Sequence, residues 1–426
     1  MTAYQSTGSS RSRSNDGGAD DRARIDEHAF VSPAPTRGAL SRARSSATLR
    51  RVRLRHVVTI VLAVILAAGC ASANPRGPCE PRPARGALGA ICGFSNPEDV
   101  EVVAPAGILL VSQMAPLRGG GSGSLAAVTL ESLGTAQAEI RRLWPAAGGT
   151  AATTGTAGGG HAGDPSCTAP PEPAGFAPHG LTSVVRPDGT VAVAVVVHGS
   201  REAIELFDLE DRGRGARLVW RGCVPLPEGT TANDLALRLD GGLVVANYAP
   251  AFGGTRGMAW MIAASLGLDT GDVLEWSRRS GWRHVPGTAA RGANGIAVSA
   301  GGESWFTETG AQRLGRIGAA KEGGAPDVTR APIEGAPDNL AWSGGGTLLT
   351  TTHLSPLGFL ACVFGRGPCR ASWQLVEIDP RTLATSVLLR HDGSVIGAVS
   401  SAAEHEGRYY LGAVFDDRIG VWEPAP

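Results

Sequence analysis

Charge, aromatic rings and long apolar runs are all scarce in this sequence. Of its 426 residues only 18% are charged and 5% aromatic, and the formal net charge is zero. Such a chain has no electrostatic footprint for nucleic acid or for an acidic membrane surface. No apolar run approaches the roughly 20 residues that a membrane-spanning helix needs. No Cys-x-x-Cys pair occurs, which removes the usual zinc frameworks. No Gly-x-Ser-x-Gly elbow supports a serine-nucleophile hydrolase. What the chain has instead is glycine, 60 residues of it, scattered between many short apolar runs. That composition favours turns and strands over long helices.

The N-terminus reads as an address. Residues 1–55 hold eleven Arg and five acidic residues amid Ser, Gly and Ala, a composition that buries too little to fold. Val57–Ala68 is then apolar apart from Thr59, with Arg50, Arg51, Arg53 and Arg55 before it. That is the length and flank of a signal-peptide core. It runs into Leu66-Ala67-Ala68-Gly69-Cys70, which resembles a bacterial lipobox with Cys70 as lipid acceptor; a plain signal peptide with a cysteine at its cleavage site is the alternative. The division expected is a disordered leader with signal peptide over 1–69, a tether over 70–87, and one folded domain over 88–426. The protein is expected to be exported and held to the membrane only through its lipid.

Removing Cys70 leaves six cysteines, an even number that suits disulfides in an exported chain. Cys167 and Cys223 each precede a repeat by about one loop, and equal phase in neighbouring repeats would set them side by side. Cys362 and Cys369 can clip a single loop. Cys79 and Cys92 remain, paired by elimination.

One pattern recurs along the folded part. Pro337-Asp338-Asn339 opens a short apolar strand, Gly344–Gly346 turns, and a second strand ends at His353. Pro97-Glu98-Asp99, Pro178-His179-Gly180, Ala232-Asn233-Asp234 and Ala293-Asn294-Gly295 open similar hairpins. A sixth copy, Gly397-Ala398-Val399, reads as having lost the polar pair. The copies lie 44 to 81 residues apart, the longest interval holding a Gly/Ala/Thr-rich insertion over Ala147–Asp164 that is expected to be a flexible loop. Without that insertion each interval suits one four-stranded sheet. Six sheets around an axis make an all-β, six-bladed β-propeller, which leaves few exposed edges. Gly257–Leu266 stands out as a short helix or irregular insertion, and Ile419–Trp422 is expected to close the last sheet.

Singly, Asn-Asp, Asn-Gly and Asp-Asn pairs are ordinary turn formers. Here they precede an apolar strand and recur at one phase, so a propeller would bring them to its central tunnel. Glu98, Asn233, Asn294, Asp338 and Asn339 offer only oxygens, the donors that calcium takes and that softer metals do not. Asp99 and Asp234 are the next residues in two copies, and the opposite facing of successive side chains gives them room for a second calcium ion deeper in the tunnel. His179 takes the metal phase of its own copy, His198 ends the hairpin that His179 begins, and His353 ends the Asp338 hairpin. The other six histidines fall in tails or loops.

These motifs together resemble the paraoxonase/arylesterase group of calcium-dependent lactonases, within the senescence-marker-protein and gluconolactonase-like propellers. The resemblance runs from about Cys92 to Trp422 and includes Val196-Val197-His198 and Leu411-Gly412-Ala413-Val414-Phe415. It implies that Glu98, Asn233, Asn294, Asp338 and Asn339 bind a catalytic calcium. It further implies that Asp99, Asp234 and the Leu181 carbonyl bind a structural one. His179 with His198 would form the histidine dyad, and His353 would be a further active-site histidine. Tyr248 departs from the family, which has an acidic residue there, and the cysteine linking the family's last strand to its N-terminus is missing. The function expected is hydrolysis of small lactones or aryl esters by a monomer with no nucleic-acid partner. A strictosidine-synthase-like propeller or a non-enzymatic, calcium-stabilised binding propeller are the alternatives. Specificity is expected in loops 253–268 and 354–370.

Overall fold

Six sheets surround one axis, and the chain closes the ring with its own beginning. The computed structural model describes residues 77–426 except 117–120, 134, 136–137, 147–160, 250–266, 319–323 and 366–367. The chain divides into units Met1–Val61 and Leu62–Pro426, and the first lies wholly outside the described residues. So do Cys70, the signal-peptide core and the Gly257–Leu266 insertion.

Strand β1 (Leu88–Cys92) comes first but belongs to the last sheet. Blade one follows as β2 (Pro97–Val103), β3 (Ile108–Gln113), β4 (Ser124–Thr129) and β5 (Arg141–Trp144). Blade two holds β6 (Ala162–Gly163), β7 (Phe176–Val185), β8 (Val191–Gly199), β9 (Ala203–Glu210) and β10 (Arg217–Pro225). Blade three holds β11 (Thr231–Leu237), β12 (Leu243–Ala249), β13 (Asp272–Ser277) and β14 (Gly281–His284). Blade four is β15 (Ala293–Val298), β16 (Ser304–Glu308), β17 (Arg313–Ile317) and β18 (Val328–Pro332). Blade five is β19 (Ala336–Trp342), β20 (Leu348–His353), β21 (Trp373–Ile378) and β22 (Thr385–His391), with helix α1 (Pro356–Phe364) inserted after β20. Blade six is β23 (Val399–His405), β24 (Arg408–Ala413), β25 (Arg418–Trp422) and, outermost, β1. The innermost strands β2, β7, β11, β15, β19 and β23 each touch the next, and the last touches the first. The expected six-bladed propeller is the observed fold.

Both faces of a blade are covered by its neighbours, so inner strands are buried throughout rather than on alternate residues. Ile108–Gln113 is buried at every position, and Val191–Val197 likewise. Separate apolar clusters fill the six gaps between blades. One example packs Val244, Ala246 and Val273 of blade three against Ile296 and Phe306 of blade four. Burying each of the Val, Ile and Phe side chains among them contributes about 1.5–3 kcal/mol.

The sequence reading needs correction in three places. Blade two has a fifth strand, because Ala162 and Gly163 pair in parallel with Gly222 and Cys223. The end of the Gly/Ala/Thr insertion is therefore sheet, not loop. The last sheet is closed by β1 rather than by the C-terminal strand, with Leu88 opposite Trp422 and Cys92 opposite Arg418. And His284, His391 and His405 end strands β14, β22 and β23 instead of lying in loops.

All three disulfides read from the sequence are present: Cys79–Cys92, Cys167–Cys223 and Cys362–Cys369, with Cα separations of 5.7, 5.6 and 4.9 Å. Residues 77–87 are fastened to blade six by the first of them, by Ala90 N–H donating to the Glu80 carbonyl (2.9 Å), and by Arg418 donating to the Gly77 carbonyl (2.9 Å). Three disulfides mark a protein of an oxidising compartment outside the cytoplasm. Among the described residues no helix is long and apolar enough to cross a membrane.

Candidate metal centre and histidine pair

Each innermost strand slips register against its partner at the repeated polar position, and β11 slips a second time between Thr231 and Ala232. The breaks fall between Pro97 and Asp99, Pro178 and Leu181, Ala232 and Leu235, Ala293 and Ile296, Pro337 and Leu340, and Val399 and Ser401. A bulge frees its residues from the ladder and re-aims their side chains. It explains how an otherwise apolar strand presents a polar pair to the axis. The sixth copy has not lost its pair: the slip places Ser400 and Ser401 there, two residues beyond Ala398, which lies before the strand in a left-handed turn (φ 49°). Both serine hydroxyls donate to the Glu98 carbonyl, at 2.6 and 2.9 Å.

Glycine beside the bulge lets the blades meet closely. A Cβ on Gly180 would lie 2.6 Å from the Asn233 carbonyl oxygen, and one on Gly295 would lie 2.5 Å from the Leu340 nitrogen. The Gly of His179-Gly180 and Asn294-Gly295 is therefore steric in purpose.

Five oxygen-bearing residues read from the sequence, Glu98, Asn233, Asn294, Asp338 and Asn339, are all buried at the inner ends of blades one, three, four and five. Four of their oxygens have no hydrogen-bond partner: Glu98 Oε2, Asn233 Oδ1, Asn294 Oδ1 and Asn339 Oδ1. Leaving one such acceptor buried and unmet costs about 1–3 kcal/mol. Four together, all acceptors, are what a cation would satisfy. Among the described residues no group of three or more His, Cys, Asp and Glu side chains forms a metal site, so amide oxygens have to supply much of any coordination here. That donor set suits calcium.

The carboxylates crowd one another. Burial lifts the Glu98 carboxyl well above the usual range, and nearby Asp99, Asp338 and Asp234 add to the rise. Burial likewise raises Asp99 to about 7, against the hydrogen bonds from Leu181 and Val100. Asp234 is held well above its usual value by burial and then by Asp99. Glu101, also on β2, is pushed to about 8 by burial; it accepts from the Ser183 N–H at 2.9 Å and from the Ser183 hydroxyl.

Asp99 and Asp234 also tie blades together. Asp99 accepts from Val100 N–H (2.9 Å) and from Leu181 N–H of blade two (2.8 Å). Asp234 accepts from Leu235 N–H (2.7 Å) and from Ile296 N–H of blade four (2.9 Å).

The histidines divide into two groups. His179 Nδ1 lies 3.1 Å from His198 Nε2, and His179 Nε2 lies 3.6 Å from Glu98 Oε1. Burial, and then the neighbouring His198, pulls the His179 imidazole down to about 3, so the ring is neutral at ordinary pH. His353 serves another part of the site, with Nε2 2.8 Å from Asp338 Oδ2. Its ring stands 4.5 Å from that of Phe359 on α1. Helix α1 begins at Pro356, behind a Ser355 cap whose hydroxyl accepts from Gly358 N–H (3.0 Å), and Cys362–Cys369 clips its end. Helix α1, in the 354–370 loop, thus packs beside His353 through Phe359. Most of the other loop expected to set specificity lies outside the described residues.

Sequence reading missed Ser400, Ser401, Glu101 and Glu202, whose carboxylate lies 2.6 Å from His198 Nδ1. Only Glu101 left a trace, as one of the acidic residues after Pro97. Tyr248 lies against Gly292, where a Cβ would meet its ring at 2.9 Å. Burial, reinforced by Asp338, raises its phenol above the ordinary value.

No protein-family model matches the chain, and no curated protein matches it by sequence. Solved structures do. A gluconolactonase from Xanthomonas campestris is 14% identical, over 82% of this chain and 97% of its own, with a TM-score of 0.46. A luciferin-regenerating enzyme is 11% identical over 79% of this chain and 94% of its own, at 0.46. The virginiamycin B lyase of Staphylococcus aureus is 13% identical over 79% and 98%, at 0.40. At these identities and TM-scores they carry no weight for the fold or the chemistry, which rest on the geometry.

Proposed function

We propose that the protein is a calcium-dependent hydrolase of lactones or aryl esters. The observation that carries this reading is the set of four buried, unmet oxygen acceptors beside a neutral histidine. Glu98, Asn233, Asn294, Asp338 and Asn339 would hold the catalytic ion, and Asp99, Asp234 and the Leu181 carbonyl a structural one. When bound, calcium supplies Lewis-acid polarisation of an ester carbonyl and compensation for the charge of an oxyanion. His179 takes the proton of the attacking water at Nε2 and returns it to the leaving alkoxide or phenoxide. His198 fixes the ring of His179 through the 3.1 Å contact. His353 holds the Asp338 carboxylate in place, and α1 excludes water above it. The protein works as a monomer outside the cytoplasm, tethered through lipid on Cys70.

The test is an assay of the full chain, purified in detergent, against lactones, aryl esters and phosphotriesters. Turnover should vanish with chelator and return with calcium. Turnover that ignores chelation, or no turnover of any ester, would sink the proposal.

A further inference from the structure

The hairpin between β8 and β9 is held from several sides. Gly199 adopts φ 103°, and a Cβ there would meet the Gly175 carbonyl oxygen at 2.2 Å. Ser200 N–H donates to that same carbonyl, and Leu226 N–H donates to the carbonyl of Glu202 at 3.0 Å. Arg201 turns away, giving Nε to Glu205 Oε1 (2.7 Å) and Nη2 to Glu205 Oε2 (2.9 Å). Glu202 is therefore left to His198, whose Nδ1 lies 2.6 Å from Glu202 Oε2. The chain of contacts runs from Glu98 in the tunnel through His179 and His198 to a carboxylate that is 44% exposed.

Resting on the reading of His179 as the base, we infer that Glu202 is a positioning residue that sets the tautomers of both histidines. A carboxylate only accepts hydrogen bonds, so His198 Nδ1 must carry its hydrogen. Neutral His198 then presents Nε2 as an acceptor, and His179 Nδ1 must donate to it. The His179 lone pair is thereby left at Nε2, toward the tunnel. When water gives its proton to that nitrogen, the positive charge formed lies two hydrogen bonds from the Glu202 carboxylate. Glu98 faces His179 from blade one and Glu202 faces His198 from its own hairpin. Without Glu202, His198 is free to present Nε2–H toward His179, which turns the His179 lone pair away from the water.

The test uses the calcium-loaded full chain with 15N-labelled histidine, whose ring-nitrogen resonances separate the two tautomers. Wild-type His198 should be protonated at Nδ1. Glu202→Leu should shift it to the other tautomer or a mixture and lower kcat on δ-valerolactone by about tenfold to a hundredfold, with KM and melting temperature little changed. Glu202→Gln, whose amide oxygen still accepts, should keep the wild-type tautomer and most of kcat. A wild-type His198 protonated at Nε2, or a Glu202→Leu protein with wild-type tautomer and kcat, overturns the inference. If Glu202→Leu fails to fold, the wild-type and Glu202→Gln spectra decide it. An absence of ester turnover in wild type would instead count against the hydrolase reading, since the tautomer is read without substrate.

Discussion

The side-chain amide of Asn339 donates to Glu98 Oε1 at 2.9 Å, joining blades one and five across 241 positions of sequence. With its nitrogen so engaged, the Asn339 amide must point its oxygen elsewhere, and that oxygen and Glu98 Oε2 are both buried without partners. One hydrogen bond thus fixes which atoms of the two side chains are offered to an ion.

Asp338 is the only other carboxylate among the five candidate ligands, and His353 holds it from behind. Asp338→Ala removes a hard anionic ligand, so calcium affinity and ester hydrolysis should fall together, each by at least about tenfold. Calorimetric titration and initial rates on the same preparation check this. Loss of hydrolysis with calcium affinity unchanged would move Asp338 from ligand to another role.

His179 touches Glu98 but donates nothing to an ion in this scheme. His179→Gln should keep calcium binding and melting temperature while losing turnover by about a hundredfold or more. Full activity in that variant would send the search for the base to His353.

The carboxyl shifts carry a pH prediction for the chelated protein. Asp99 and Glu101 have folded values raised to about 7 and about 8, so their contribution to stability is complete in acid and is lost as pH rises through those values. The slope is about 1.4 kcal/mol per pH unit for each proton released. His179, lowered to about 3, acts only on the acid side, costing stability as pH falls below about 6.5. Between pH 6.5 and 8.5 the melting temperature in chelator should therefore fall with rising pH. Calcium, which favours the ionised carboxylates, should flatten that dependence. A chelated protein that gains stability from pH 6.5 to 8.5 contradicts the prediction.

The repeat was legible because each polar pair lies between a Pro or Ala and an apolar strand, with a glycine turn after it. The bulge beneath it was not, since a register slip leaves no local mark. That is why Gly397-Ala398-Val399 passed for the sixth copy when Ser400 and Ser401 fill the place. Closure by Leu88–Cys92 was hidden for a related reason: pairing between the two ends of a chain is a property of the ring, not of either segment. Glu202 was invisible because an acidic residue in a hairpin loop is unremarkable until His198 is seen beside it. Cys167–Cys223 could be read because repeat phase stands in for distance, Cys362–Cys369 because the two are close in sequence, and Cys79–Cys92 only because they were left over.

The proposed anchoring rests on Cys70, outside the described residues. Cys70→Ser should abolish labelling by radioactive palmitate and move the protein to the soluble fraction. Unchanged labelling and membrane association would show that Cys70 is not the attachment point.

The central claim is that the tunnel oxygens hold calcium, and diffraction from crystals grown in calcium tests it most directly. The account predicts an anomalous peak within about 2.3–2.6 Å of oxygens from Glu98, Asn233, Asn294, Asp338 and Asn339. A tunnel holding only water beside those five residues at saturating calcium would contradict it.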